Sequence, residues 1–421
     1  MRVDWLVALS SVLLLACAGA PDGYDHAREH GVLAGKADTP MPEKEWTFIL
    51  YGAGDNDLEA FIEHDLNELE SVGSTEHVNL LAMLDTAAGA SRYYLEQDDD
   101  LFALRSARFD LGQVDSGSPL TLDEFVTWAM TSFPARRYAV VISGHGGGNP
   151  RVVAPDFTTG NAMSPRELME ALDRVRQTTG RRVDVFGADA CLMQTVEVAF
   201  ELRDSVENIV ASQNTEPGTG WPYDVLGGGL VDDPFMTAPE LADGMTIAFA
   251  DDQAAGDPDG EWIIAHLQTD SFLGVPPGLS RGLFQQLDEL ALLLADGISR
   301  SADIDGMVQA AVGSTFRVRG GGLTGAQLDP YGDLDRFLFL LEDLPDADLR
   351  SRVADLRGSM FALVPNVRGG LASDARGARG VSVYLPLSQA TAPADIGEYR
   401  AACDFCERSA WSDLVAAYAL P

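Results

Sequence analysis

A chain of 421 residues with 46% apolar side chains can fill the cores of two or three domains of ordinary size, which places it among globular proteins. Its 65 acidic and 29 basic side chains leave a formal charge of −36. No basic tract offsets that charge, so nucleic acid is excluded as a partner and cationic partners are favoured.

The chain opens on "MRVDWLVALSSVLLLACAGA", whose apolar stretch from Trp5 to Ala16 is too short to span a bilayer comfortably and has the length of an export signal. Leu14-Leu15-Ala16-Cys17 resembles a bacterial lipobox. Residues 1–17 are therefore expected to be a signal peptide, with Cys17 lipidated to anchor an exported lipoprotein in a membrane. The alternative is plain secretion by cleavage after Ala18-Gly19-Ala20, which Pro21 disfavours. Residues 18–45 are polar and rich in glycine, proline and charge, as expected of a flexible tether or pro-segment.

From Trp46 short apolar runs alternate with helical patterns. "WTFILYGA" is followed by a helix from Leu58 to Ser71, then by "VNLLAML", a helix around "LDEFVTWAM", "YAVVISGHGGG", a helix around "PRELMEALDRV", and "VDVFGADAC". Met193, Val196 and Phe200 mark the next helical segment, and "NIVASQN" follows it. This alternation predicts an α/β fold with a mostly parallel sheet flanked by helices, its catalytic core spanning 46–225. Residues 226–421 are the C-terminal region that completes it. There Gly227-Gly228-Gly229 reads as a flexible turn, helices are expected at 238–250, 281–295 and 334–344, "GVSVYLPL" as a strand, and a last helix from Trp411.

Ligands of such sheets bind beyond the carboxyl ends of the strands, and two of those ends carry chemistry: His145 after "YAVVIS" and Cys191 after "RVDVFGADA". A cysteine nucleophile needs a thiolate, a neighbouring proton acceptor and donors for an oxyanion. His145 is the partner expected to lower the Cys191 thiol, assisted by a helix N-terminus where the strand turns into a helix. The backbone N–H groups of Gly146 and Cys191 are the expected oxyanion donors. Singly, each residue has an ordinary explanation: Cys191 as a small core hydrophobe, His145 as a structural side chain, Asp189 as a helix N-cap. Their joint placement at two strand ends tips the balance toward catalysis.

"SGHGGG", "DACLM" after an apolar strand, and a histidine preceding the cysteine in the chain together resemble the clostripain family of cysteine peptidases, caspase-like enzymes related more distantly to gingipains and legumain. "FILYGAGDNDLE", "ASQNTEPGTGWPY", "DPYGDLDRFL" and "GVSVYLPL…WSDLVAAY" extend the likeness from about Trp46 to Tyr418. The resemblance implies a caspase-like sheet with a C-terminal extension or subdomain, and an endopeptidase cutting proteins or peptides after arginine or lysine. Cys191 would attack and His145 protonate the leaving amine. Asp189 would lie at the base of the primary specificity pocket and Trp221 would wall it. It further implies self-cleavage after a basic residue between histidine and cysteine, with Arg151 the best placed. Clostripain's dependence on calcium leaves that ion open as a cofactor, with "DNDLE" at Asp55 to Glu59 and the acids Asp251, Asp252, Asp257 and Asp259 as loose candidates; neither supplies a full calcium loop, and no metal ligand is assigned.

Three further readings complete the set. Cys403 and Cys406 are expected to form a small disulfide, since an exported protein meets oxidising conditions, with a redox pair as the alternative. A serine esterase is suggested by "HGGG" and by "GLSRG" around Ser280, but every histidine precedes that serine and Pro276-Pro277 stand where a strand should lead into it. A catalytically silent caspase-like surface lipoprotein that serves as a binding module is the non-enzymatic alternative.

Overall fold

β1 (Lys44–Ala53) reads KEWTFILYGA, and both its faces are buried. Trp46, Phe48 and Leu50 join one apolar layer, while Ile49, Tyr51 and Ala53 join the other, as the two-residue period of a strand requires. Full burial of such side chains is worth roughly 1.5–3 kcal/mol each, against about 1 kcal/mol net for a backbone hydrogen bond, so burial on both sides sets where this strand lies. The computed structural model describes residues 41–100, 102–147, 153–275, 281–317, 330–387 and 396–418. The signal segment with Cys17, most of the tether, Arg151 and Ser280 lie outside the described residues.

Around β1 stands a nine-stranded sheet in the order β12-β10-β9-β8-β5-β1-β2-β3-β4. Its middle is parallel: β2 (Val78–Asp85), β1, β5 (Ala135–Ser143), β8 (Val183–Asp189) and β9 (Val206–Ser212). Antiparallel strands close both edges, β3 (Ala90–Tyr94) and β4 (Ala107–Gly112) on one side, β10 (Ile263–Gln268) and β12 (Asn366–Gly369) on the other. The helices Glu59–Val72, Tyr223–Asp232 and Ala238–Gly256 cover one face, and Pro119–Ser132 and Pro165–Thr179 the other. The last of these starts on a capping box between Ser164 and Glu167, with Pro165 in its first turn, and stops at Gly180 in the left-handed conformation. The expected mostly parallel sheet flanked by helices is the observed one. Since β10 and β12 come from beyond residue 225, which itself lies within the helix Tyr223–Asp232, the sheet runs across that position.

The expected turn at Gly227-Gly228-Gly229 is helical instead. Tyr223, Leu226 and Leu230 bury on one side of that helix, and a side chain at Gly227 would meet Leu69 at 3.1 Å, so the glycine allows close approach to the helix Glu59–Val72. Tertiary packing overrides glycine's poor helix propensity there.

The C-terminal region also grips the helix Val196–Leu202, which follows the turn at Cys191. Glu197, fully buried, accepts hydrogen bonds from the Tyr384 N–H (2.8 Å) and the Tyr399 hydroxyl (2.9 Å), and Glu201 accepts one from the Phe405 N–H (3.1 Å). Cys403 and Cys406 are joined in a disulfide beside this contact, where Phe405 stacks edge-on against Phe200.

Burial raises the Glu197 carboxyl from 4.5 to about 7. The folded protein thus keeps a proton that the unfolded chain sheds, and the stability tied to it is fully present below the unfolded value and lost as pH rises through about 7. Replacing Glu197 with Gln should flatten the pH dependence of the melting temperature, with a gain over wild type of about 1–3 kcal/mol on going from about pH 5 to pH 8. Parallel melting curves for the two proteins across that range would contradict this assignment.

Candidate active site

β5 and β8 are parallel neighbours, and their register sets Ser143 beside Asp189. His145 and Cys191 each stand two residues beyond that pair, so the strands deliver both to the same end of the sheet. The Gly144 N–H donates to the Asp189 carbonyl (3.1 Å), and the Ala154 N–H donates to the His145 carbonyl (3.1 Å), which fixes the backbone on either side of the imidazole. A β-carbon at Gly146 would lie 2.4 Å from the Cys191 carbonyl oxygen and 3.1 Å from its nitrogen. Only glycine lets the two turns meet, and that contact brings the Gly146 backbone against the Cys191 amide.

The turn carrying Cys191 differs from expectation. Cys191 is not at a helix N-terminus: the helix begins at Val196 with Thr195 as its cap, and residues 190–195 form a turn in which Leu192 has φ 65°. The Leu192 N–H donates to the Asn214 carbonyl (3.0 Å), which holds this left-handed residue in place. No helix dipole therefore assists the thiol, and burial together with the charge of Asp189 pushes its pKa up. The Glu216 N–H opposes this by donating to Sγ (3.3 Å). His145 makes no hydrogen bond to Cys191; its Nε2 lies 2.7 Å from Oδ1 of Asp57, in the turn after β1.

Beneath Cys191 lies a cluster of acids, Asp65 and Asp189 buried and Glu216 partly buried. Asp189 accepts hydrogen bonds at Oδ2 from the Trp221 N–H (3.3 Å) and the Tyr223 hydroxyl (3.0 Å). Gly220, at φ 66°, passes so close that a β-carbon there would meet the same oxygen at 2.8 Å. Glu216 is hydrogen-bonded to Asp189 side chain to side chain and accepts from the Trp221 indole N–H (3.2 Å). Asp65, on the helix Glu59–Val72, accepts from the Ser143 hydroxyl (3.1 Å) and feels the Asp189 charge. Burial raises all three carboxyls, Asp65 and Glu216 well above the ordinary range, and a cation bound beside them would favour their charged forms. Trp221 is buried, and its ring atom Cζ3 would stand 3.1 Å from a β-carbon at Gly187 of β8.

Asp189, Trp221, His145, Gly146 and Cys191 are thus gathered at one end of the sheet. Sequence reasoning did not single out Asp65, Glu216 or Tyr223, and saw Asp57 only as part of a turn or calcium motif. Asp65 had a signal, since it falls among Ile62, Leu66 and Leu69 on the apolar face of its helix. Nothing local marks Glu216 as buried. At the calcium candidate "DNDLE", the Asn56 amide donates to the Ala53 and Pro155 carbonyls and accepts from the Leu58 N–H, and Oδ1 of Asp57 faces His145. Among the described residues no group of three or more His, Cys, Asp or Glu is arranged to hold a metal ion, and no helix is long and apolar enough to cross a membrane.

Residues 50–243, a little under half of the chain, match the family model described as the clostripain family. Clostripain of Hathewaya histolytica is 24% identical over 234 residues, which span 45% of this chain and 44% of that protein; the chain therefore matches less than half the length of this curated relative. A secreted cysteine protease from Bacteroides thetaiotaomicron, solved in complex with an irreversible peptide inhibitor, has the same fold, with a TM-score of 0.63 at 22% identity over 88% of this chain and 99% of its own. An inactive zymogen protease from Parabacteroides distasonis matches with a TM-score of 0.56 at 19% identity, covering 82% of this chain and 93% of its own.

The close approach of Gly146 to the Cys191 turn predicts that Gly146→Ala forces the two turns apart at a cost of about 1–3 kcal/mol, as overpacking does elsewhere. Thermal melting should detect that loss together with a changed rate of Cys191 alkylation, and an unchanged melting temperature would show that the turns do not meet as described.

Proposed function

We propose that the chain, whose residues 50–243 match the clostripain family model, is an exported cysteine endopeptidase that cuts proteins and peptides after arginine or lysine. The observation that carries this reading is the buried Asp189, bound at Oδ2 to the Trp221 N–H and Tyr223 hydroxyl, two residues before a cysteine that shares its end of the sheet with His145. A carboxylate at the floor of a pocket selects a guanidinium or ammonium group by charge-assisted hydrogen bonds. Glu216 adds a second acid to that floor and touches the nucleophile through its own N–H.

In this mechanism the imidazole of His145 takes the proton of the Cys191 thiol, and the thiolate adds to the scissile carbonyl carbon. The carbonyl oxygen becomes an oxyanion facing the Gly146 and Cys191 N–H groups. The imidazolium returns its proton to the leaving nitrogen as the C–N bond breaks, leaving a thioester. Water, deprotonated by His145, then attacks the thioester, and the thiolate leaves to recover that proton. A cationic side chain on Asp189 would also neutralise the charge that raises the thiol, so substrate binding favours the thiolate.

The amino-terminal signal and Cys17 support export with a lipid anchor at a membrane face, and the Bacteroides relative is itself described as secreted. Self-cleavage after Arg151 belongs to the same proposal, as does a calcium requirement tested by adding the ion. The silent binding module is the second reading, favoured by one observation: the thiol is raised and shares no hydrogen bond with His145.

Matched fluorogenic peptides ending in arginine, lysine, aspartate or asparagine, assayed with and without calcium and after proteolytic nicking, separate the two. Cleavage after arginine or lysine should vanish in Cys191→Ala, while inactivity of wild type under every condition would favour the binding module. A chain that remains intact at full activity would remove the self-cleavage step. Because burial raises Asp189 and Glu216 and a cation binds their charged forms, KM for arginine peptides should fall as pH rises through their titration, and Asp189→Asn should raise KM by on the order of 100-fold and abolish that trend. A KM independent of pH in wild type would show that these acids do not receive the substrate.

A further inference from the structure

Asp57 stands outside the nucleophile, base and pocket just described, yet it makes the shortest polar contact to the base. Its Oδ1 lies 2.7 Å from Nε2 of His145. The turn that presents it is braced from both sides by its neighbour: Asn56 donates to the Ala53 carbonyl (2.8 Å) and to the Pro155 carbonyl (3.0 Å), and accepts from the Leu58 N–H (2.9 Å). Ala53 ends β1 and Pro155 lies in β6 (Val153–Asp156), the strand reached directly from the His145 turn. The Phe157 N–H adds a bond to the Asp55 carbonyl (2.8 Å). Both the aspartate and the histidine are thus carried on backbone anchored to the same two strands.

Building on the peptidase reading, we propose that Asp57 is the positioning residue of a Cys191–His145–Asp57 triad: it holds the His145 ring with Nε2–H toward its carboxylate and leaves Nδ1 as the atom that exchanges the proton with the thiol. The tautomer follows from the partner, since an ionised carboxylate only accepts. Asp57 is ionised at neutral pH because its bond to His145 draws its pKa below the ordinary carboxylate value. With Nε2–H committed, Nδ1 of the neutral ring carries a lone pair and can take the Sγ proton. The imidazolium so formed carries its positive charge 2.7 Å from the Asp57 carboxylate, which stabilises it until the proton passes to the leaving amine. The other acids facing this crevice, Asp189 and Glu216, lie on the Cys191 side, beneath the thiol. Asp57 approaches from the turn after β1.

The same contact is compatible with a purely structural tie between two turns, and pH profiles separate the roles. In Asp57→Asn the ring can stay oriented while the carboxylate charge is lost; in Asp57→Ala both are lost. A triad predicts that kcat falls by about tenfold in Asp57→Ala and less in Asp57→Asn, with KM for an arginine peptide unchanged. It also predicts that the acidic limb of the kcat profile moves to lower pH in both variants, because His145 must be neutral to take the thiol proton and its imidazolium has lost its counter-charge. Equal kcat in wild type and variants, or a kcat loss with an unmoved acidic limb, would overturn the assignment. A second readout does not depend on peptide cleavage: the rate of Cys191 alkylation by iodoacetamide against pH. It should show a His145-dependent thiolate component at low pH that disappears in His145→Ala and is weakened in Asp57→Asn. If wild type cleaves no peptide, that profile still decides whether Asp57 acts through His145; superimposable wild-type and Asp57→Asn profiles would refute it.

Discussion

The structure depends on one contact: two turns at the ends of neighbouring parallel strands approach so closely that a single β-carbon between them would clash. β5 and β8 are held in register by their ladder, which sets Ser143 beside Asp189 and leaves His145 and Cys191 at equal distance beyond. Gly146 then fits against the Cys191 backbone, where any other residue would sit 2.4 Å from a carbonyl oxygen. Sheet packing supplies the force that keeps the strands there. Both faces of β1, β5 and β8 are buried, and sliding any of them would expose large apolar side chains to water.

Around that contact the acids are distributed by purpose. A chain with a formal charge of −36 can afford few of them in its interior, yet Asp65, Asp189 and Glu216 converge below Cys191. Burial raises all three carboxyls, Asp65 and Glu216 well above the ordinary carboxylate range. On the far side of the Cys191 turn, the carboxylates of Glu197 and Glu201 accept from backbone N–H groups and a tyrosine of the C-terminal region. Residues remote in sequence thereby pin the helix that follows Cys191.

Much of this was legible in the sequence, and the reasons differ from element to element. The parallel core could be read because its strands are buried on both faces and appear as unbroken apolar runs. The helix Pro165–Thr179 announced itself with Ser164, Pro165, Glu167 and Gly180 in their expected places. His145 and Cys191 could be paired because both follow such runs. The helix over Gly227-Gly228-Gly229 could not be read, since its stability comes from the neighbouring helix rather than from propensity. Cys191 was expected at a helix start, but the helix is delayed to Val196 by the left-handed Leu192, whose conformation depends on a carbonyl from Asn214. Asp57, Asp65 and Glu216 reach the site from three separate segments, and only tertiary structure brings them to Cys191 and His145.

The account rests on Cys191 being a nucleophile addressed by a cationic side chain. The most direct test is to incubate the protein with a peptide that ends in arginine and bears an irreversible thiol-directed group, then to locate the adduct by mass spectrometry. Modification of Cys191 alone, suppressed by Asp189→Asn and by His145→Ala, is the expected result. An unmodified Cys191 in a folded and proteolytically nicked protein, or equal labelling by an aspartate-ended analogue, would contradict it.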